Sequence, residues 1–241
     1  IRLSASHNRI DLCAFIDKED VTSPEAIYFA FPLNLNNGWE CTFDSAGRYV
    51  KLDTDQLGKC CHDWITVDKT VSVYDRQKGI TLAYPDAPLV QVGDFNFGCE
   101  HTGIARNQNP LLLAWPMNNY WETNFCASQP GIVCFNYEIT PFEKFERSEA
   151  YDLGITAYDP CDFIYLADCS EDEEKKFVNF TENKNVYIQY IKKSIDDNVI
   201  VMLNNIGSDN QEFTFEFIDK KILKAYKVNI LEEAENEITV T

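Results

Sequence analysis

Two thiols, an imidazole and a carboxylate stand side by side in "CCHDW", residues 60–64. On paper such a set suits a soft metal ion. Adjacent side chains of an extended segment point to opposite faces, so the four cannot all converge on one ion. No second ligand group lies at zinc spacing, and the remaining imidazoles, His7 and His101, form no pair with His62. A strand entry with a partly buried His62 is the simpler reading. Carboxylates for glycoside chemistry work as pairs brought together by the fold, not by spacing. Asp63, Asp86, Asp94 and Glu122 are candidates by neighbourhood, each flanked by aromatics, Pro or Gly. Asp in such places commonly caps a turn. No thiol follows a Gly-rich turn that opens a convincing helix, so no cysteine nucleophile is marked out.

A different chemistry is offered by "MNNYWETNF", residues 117–125. Sugars are held by aromatic stacking and by amide and carboxylate hydrogen bonds in fixed geometry. Asn118, Asn119, Trp121 and Asn124 supply those groups within a few positions. The same residues could instead satisfy buried backbone at a sheet corner, with Trp121 filling a core. Local chemistry leaves these two readings even.

The elements that must position these groups read as strands. Runs rich in β-branched and aromatic residues occur at 9–16, 26–33, 64–75, 79–84, 87–93, 111–115 and 131–140. Turn residues lie between them at 36–38, 45–47, 76–79 and 85–88. One short helix is expected over 142–152, followed by an acidic, solvated loop at 168–176. Strand rhythm resumes at 185–193, 198–205, 211–218 and 221–231, and "EFTFEF" places Phe213, Phe215 and Phe217 on one face. The pattern predicts an all-β chain. A larger domain covers 1–141, a connecting segment 142–182 and a small terminal β-sandwich 183–241.

The chain has 241 residues, enough to bury a sizeable core. Its net charge of −18 disfavours nucleic acid and anionic membrane surfaces but not neutral sugars. No run approaches the ~20 apolar residues of a membrane span. The nine Cys, at 13, 41, 60, 61, 99, 126, 134, 161 and 169, are odd in number and irregularly placed. Reduced thiols and a cytoplasmic location are the expectation. The absence of an initiator Met suggests a fragment of a longer chain.

Several blocks occur together in order: "EAIYFAFPLNL" (25–35), "DWITV" (63–67), "YPDAPLVQVGD" (84–94) and "PMNNYWETNF" (116–125). The tail adds "VYIQYIKKSIDDNVIVMLNN" (186–205) and "AYKVNILEE" (225–233). Together they resemble the C-terminal β-rich region of family 38 glycoside hydrolases, the α-mannosidases, in particular the bacterial members. The resemblance implies a galactose-mutarotase-like supersandwich followed by a small β-domain. It also implies a parent enzyme that hydrolyses terminal α-mannosides with retention, using an Asp nucleophile and zinc in an N-terminal catalytic barrel. No residue here matches those motifs, so this chain is expected to hold no catalytic residue, metal ligand or cofactor. The barrel and an α-mannoside are its expected partners. Asp63, Trp64, Asp86, Asn118, Asn119, Trp121 and Asn124 are the candidates for the rim of the sugar site. Where the family would place a basic residue before "DW", this chain has His62. The rival readings are a free-standing carbohydrate-binding module, an aldose epimerase using His62 or His101 with Glu122, and a pure scaffold.

Overall fold

The structure is a computed structural model and describes residues 1–58, 62, 64–93, 109–119, 128–158, 177–218 and 220–240. The chain divides into two compact units, Ile1–Cys161 and Asp162–Thr241. The first holds β1 (Arg2–Leu3), β2 (Ile10–Lys18), β3 (Ala26–Pro32), β4 (Glu40–Ser45), β5 (Arg48–Lys51) and β6 (Ile65–Thr66). It continues with β7 (Thr70–Tyr74), β8 (Gly79–Ala83), β9 (Leu89–Val92), β10 (Leu111–Asn118), β11 (Gly131–Phe142) and α1 (Arg147–Tyr158).

Seven of these strands form one antiparallel sheet in the order β1-β2-β11-β8-β7-β4-β5. Four form a second, in the order β3-β10-β9-β6. Alternation then decides what is buried. From the larger sheet Cys41, Phe43, Val71, Val73 and Leu82 point inward; from the smaller sheet Val90, Val92, Leu112 and Ala114 do. Phe29 and Phe31 of β3 meet the Tyr137 ring of β11, with centroids 5.3 and 5.4 Å away, so the two sheets lock across one core. The all-β sandwich expected from the sequence is thus the fold of this unit.

The run 64–75, expected as one strand, is two. β6 pairs with β9 in the small sheet, whereas β7 pairs with β4 and β8 in the large one. The chain changes sheet at Asp68–Lys69. The Asp44 carboxylate fixes that corner, its Oδ1 accepting the backbone N–H of Lys69 at 2.8 Å and of Thr70 at 2.7 Å. Val67, Val71 and Val73 still share the core, because the corner restores the alternation on the far side.

The outer face of β7 and β8 is polar yet buried. Thr70, Ser72 and Thr81 are all but inaccessible. The hydroxyls pair with one another: Ser72 with Thr81 at 2.9 Å, and Thr42 with Tyr74 at 2.9 Å. The covering element is α1, which packs on β7 and β8. It runs from Arg147 to Tyr158, later than the 142–152 expected, and belongs to the first unit and not to a connecting segment. Glu143 to Phe145 are spent on the approach, where Phe145 stacks on Tyr74 at 4.7 Å. Gly154 permits the close docking: a Cβ there would lie 2.9 Å from Lys69 Cβ and 3.0 Å from Thr70 Cγ2. At the helix end, Tyr158 donates its O–H to the Tyr84 carbonyl at 2.9 Å.

One partly exposed carboxylate ties two turns together. Asp75 accepts the backbone N–H and side-chain amide of Asn36, both at 2.7 Å, and the N–H groups of Gln77 and Lys78. The Asn36 N–H, then that of Gln77, holds its carboxyl down to about 2. A depressed folded pKa stabilises the fold above the unfolded value near ~4, and that stabilisation is lost as pH falls through about 2. Asp75→Asn is therefore expected to flatten the dependence of the urea midpoint on pH between ~4 and ~2. Identical slopes for variant and native chain would contradict this.

In the second unit, three antiparallel ladders are formed by β12 (Val178–Phe180), β13 (Val186–Lys193), β14 (Val199–Asn205), β15 (Phe215–Phe217), β16 (Ala225–Val228) and β17 (Ala234–Ile238). The pairs are β12 with β15, β13 with β14 and β16 with β17. The expected strand over 211–218 contracts to Phe215–Phe217, and Phe213 lies before it, stacked on Phe180 at 6.0 Å. The acidic run 168–176 lies outside the described residues.

Candidate functional site

β10 carries the site's aromatic and amide groups into position. Its register shifts between Ala114 and Met117, at Pro116, which has no N–H to give to a ladder. The bulge keeps both Ala114 and Met117 in the core. It leaves Trp115 on the outer face of the four-stranded sheet and Asn118 at the strand's end.

On that outer face Trp115 stacks on Tyr28 of β3, with centroids 5.4 Å apart and planes 14° apart. Trp64, just before β6, meets Trp115 edge-on at 5.9 Å. Burial pushes the Tyr28 phenol up to about 12, so it is a neutral hydrogen-bonding group at any physiological pH. Gln91 of β9 lies opposite Leu113 in the ladder and is completely buried. Of these four residues only Trp64 was legible as a candidate. Trp115 and Tyr28 read as ordinary strand residues, and the one signal was Trp115 falling out of phase with Leu112 and Ala114.

A narrow cleft opens where β10 ends, lined by Lys18, Glu25, Ile27, Met117, Asn118 and Ser128 among others. Lys18, itself largely buried, forms an ion pair with Glu25 and donates to the Glu19 carbonyl at 2.7 Å. Asn118 faces this cleft with its carbonyl oxygen buried. Asn119 does not share that freedom. Its Oδ1 accepts the Glu25 N–H at 2.5 Å, and its Nδ2 donates to the carbonyls of Val21 and Ser23 at 2.7 and 2.9 Å. Its amide therefore clamps the 21–25 loop against the strand end and shapes the cleft through that loop.

Asp86 sits elsewhere, in the turn between β8 and β9. It is exposed, and its Oδ2 accepts the backbone N–H of Asn136 at 2.5 Å and the Asn136 amide at 3.1 Å. That is turn-pinning geometry on the large sheet. Asp63, Trp121 and Asn124 lie outside the described residues, as do Asp94, His101 and Glu122. The structure thus groups Asn118 with Asn119 at one cleft, places Trp64 on the Trp115 face, and ties Asp86 to β11.

Among the described residues no three His, Cys, Asp or Glu side chains converge. His62 is buried, with Nδ1 2.8 Å from Asp53 Oδ1 and Nε2 3.1 Å from the Leu57 carbonyl. Both ring nitrogens are engaged by the 53–57 turn, as expected for a partly buried structural histidine. Of the "CCHDW" cluster, Cys60, Cys61 and Asp63 lie outside the described residues.

Residues 185–241 match the family described as the C-terminal beta sandwich domain of glycosyl hydrolases family 38. A search of the curated proteins returns no match. Among solved structures, the chain is similar to a protein in glycosyl hydrolase family 38 from Enterococcus faecalis. The TM-score is 0.67 at 14% identity, over 95% of this chain and 26% of that one. It is also similar to an alpha-mannosidase from Enterococcus faecalis V583. There the TM-score is 0.66 at 15% identity, over 97% of this chain and 26% of that one. The chain spans about a quarter of the length of these structures. Residues 185–241 thus match the family 38 C-terminal beta sandwich domain, and nearly the whole chain shares the fold of a part of these two structures.

Proposed function

We propose that this chain is the non-catalytic C-terminal region of an α-mannosidase-like glycoside hydrolase, packing on a catalytic barrel that lies outside this sequence. The observation that carries the reading is the fold likeness. It runs over 95% or more of this chain but only 26% of the solved proteins, one of them an alpha-mannosidase. In this reading the parent hydrolyses terminal α-mannosides with retention, through a covalent glycosyl-enzyme. Its zinc is held outside this chain, in the catalytic barrel. The cleft at the end of β10 contributes to the rim of the sugar site, Asn118 offering a carbonyl oxygen and the Lys18–Glu25 pair fixed charges. The free thiols of Cys13 and Cys134 fit a cytoplasmic setting. No helix of the described residues is long and apolar enough to cross a membrane.

The Asn118 carbonyl oxygen in the cleft favours a second reading, a free-standing carbohydrate-binding module. Calorimetric titration of the chain with mannose and mannobiose separates the two. A half-built rim without its barrel is expected to give no saturable heat at millimolar sugar. Saturable binding, lost in Asn118→Ala with unchanged circular dichroism, would favour the module.

A further inference from the structure

The sulfurs of Cys13 on β2 and Cys134 on β11 lie 3.1 Å apart on the solvent face of the large sheet. Cys13 is exposed and Cys134 half-buried, and both are free thiols. In the ladder Cys13 stands opposite Asn136 and Cys134 opposite Phe15, so the two thiols are diagonal neighbours on one face. Diagonal side chains ordinarily stay apart; here both lean toward the gap between them. We propose that Cys13 and Cys134 form a reversible dithiol–disulfide site that reacts with low-molecular-weight disulfides.

The reaction is two thiol–disulfide exchanges. One protein thiolate attacks a sulfur of the small disulfide, breaking its S–S bond and releasing one small thiol. The second protein thiolate attacks the resulting mixed disulfide at the protein sulfur, releasing the second. The protein sulfurs lose two protons and two electrons, and both reach the two small thiols released. Access is open at Cys13, and Cys134 is the resolving partner within contact distance.

The geometry also says what kind of bond forms. A relaxed disulfide needs Cβ atoms about 3.5–4.5 Å apart, closer than diagonal strand neighbours normally stand. Closure brings the two sulfurs from 3.1 Å to bonding distance across the β2–β11 pair. β2 can yield, because its other neighbour is only the two-residue β1. A disulfide at this exposed position is open to reduction by small thiols. Cys41, buried in the core, takes no part.

The test uses the whole chain, incubated with oxidised glutathione, blocked with an alkylating agent, digested without reduction and read by mass spectrometry. The expected product is a cross-linked pair of peptides carrying Cys13 and Cys134, lighter than their sum by two hydrogen atoms. Mild dithiothreitol should abolish it. Cys134→Ser should lose the cross-link and accumulate a glutathione adduct on Cys13, which shows that Cys13 is reactive whether or not a bond follows. Two outcomes would overturn the proposal: both thiols alkylated in the native chain, or each separately carrying glutathione without a cross-link.

Discussion

Replacing Trp115 with alanine is expected to cost the first unit about 3–5 kcal/mol, the largest loss foreseen for a residue outside the central core. Trp115 is 3% exposed, stacked on Tyr28 and met edge-on by Trp64. Its removal takes the middle ring from a row of three and leaves a cavity against the outer face of β10. For a unit of this size the melting temperature should fall by about 10 °C. Trp115→Phe keeps a ring on Tyr28 and should recover at least half of the loss. Because Trp115 and Asn118 share one strand, the cleft at its end should loosen with it. Thermal melts by near-ultraviolet circular dichroism measure both variants. A Trp115→Ala chain within about 1 kcal/mol of native would show that the aromatic row contributes little packing, since exposed sites alone behave that way.

The second large effect is at Asp44. This carboxylate is 4% exposed and its Oδ1 accepts two backbone N–H groups at the corner where the chain changes sheet. Asp44→Ala leaves both donors without their acceptor, one of them fully buried, and is expected to cost about 2–4 kcal/mol. Asp44→Asn keeps an oxygen in the same place. Burial pushes the Asp44 carboxyl up, opposed by the N–H groups of Thr70 and Lys69, with Asp68 adding to the rise. A raised folded pKa means stabilisation that is complete below the unfolded value of ~4 and is lost as pH rises through the folded one. The neutral amide escapes that loss. Asp44→Asn is thus expected to match or exceed the native chain in urea at pH 7, and to lose the advantage at pH 3. If Asn were as damaging as Ala at pH 7, the charge itself would be what holds the corner.

The strands were largely legible because their alternation is a local property. β2, β3, β8, β10 and β11 start or end within a few residues of their expected positions. Several strands escaped, among them the β4–β5 hairpin. β4 (Glu40–Ser45) and β5 (Arg48–Lys51) mix charged residues among the apolar ones, and only the turn at 45–47 betrayed the hairpin. The break between β6 and β7 escaped for another reason. The acceptor that turns Lys69 and Thr70 out of the strand belongs to Asp44, two dozen residues away, and no local pattern encodes it. The site was less legible still. Asn118 and Asn119 are adjacent and chemically identical. Only the fold shows that Asn119 is committed to the backbone of 21–25 while Asn118 faces a cleft. Asp86 looked the same as a sugar-binding carboxylate until its partner Asn136, fifty positions on, was brought beside it. Hydroxyl pairs beneath α1 were likewise invisible, because Thr and Ser on a strand's wet face give no sign that a helix will cover them.

The central proposal is that this chain carries no glycosidase chemistry of its own. It is tested most directly by incubating the purified chain with a chromogenic α-mannoside, with and without added zinc, and following release of the chromophore. No hydrolysis above the buffer rate is expected in either case. Steady turnover by the chain alone, abolished by replacing one of its carboxylates such as Asp86→Asn, would contradict it.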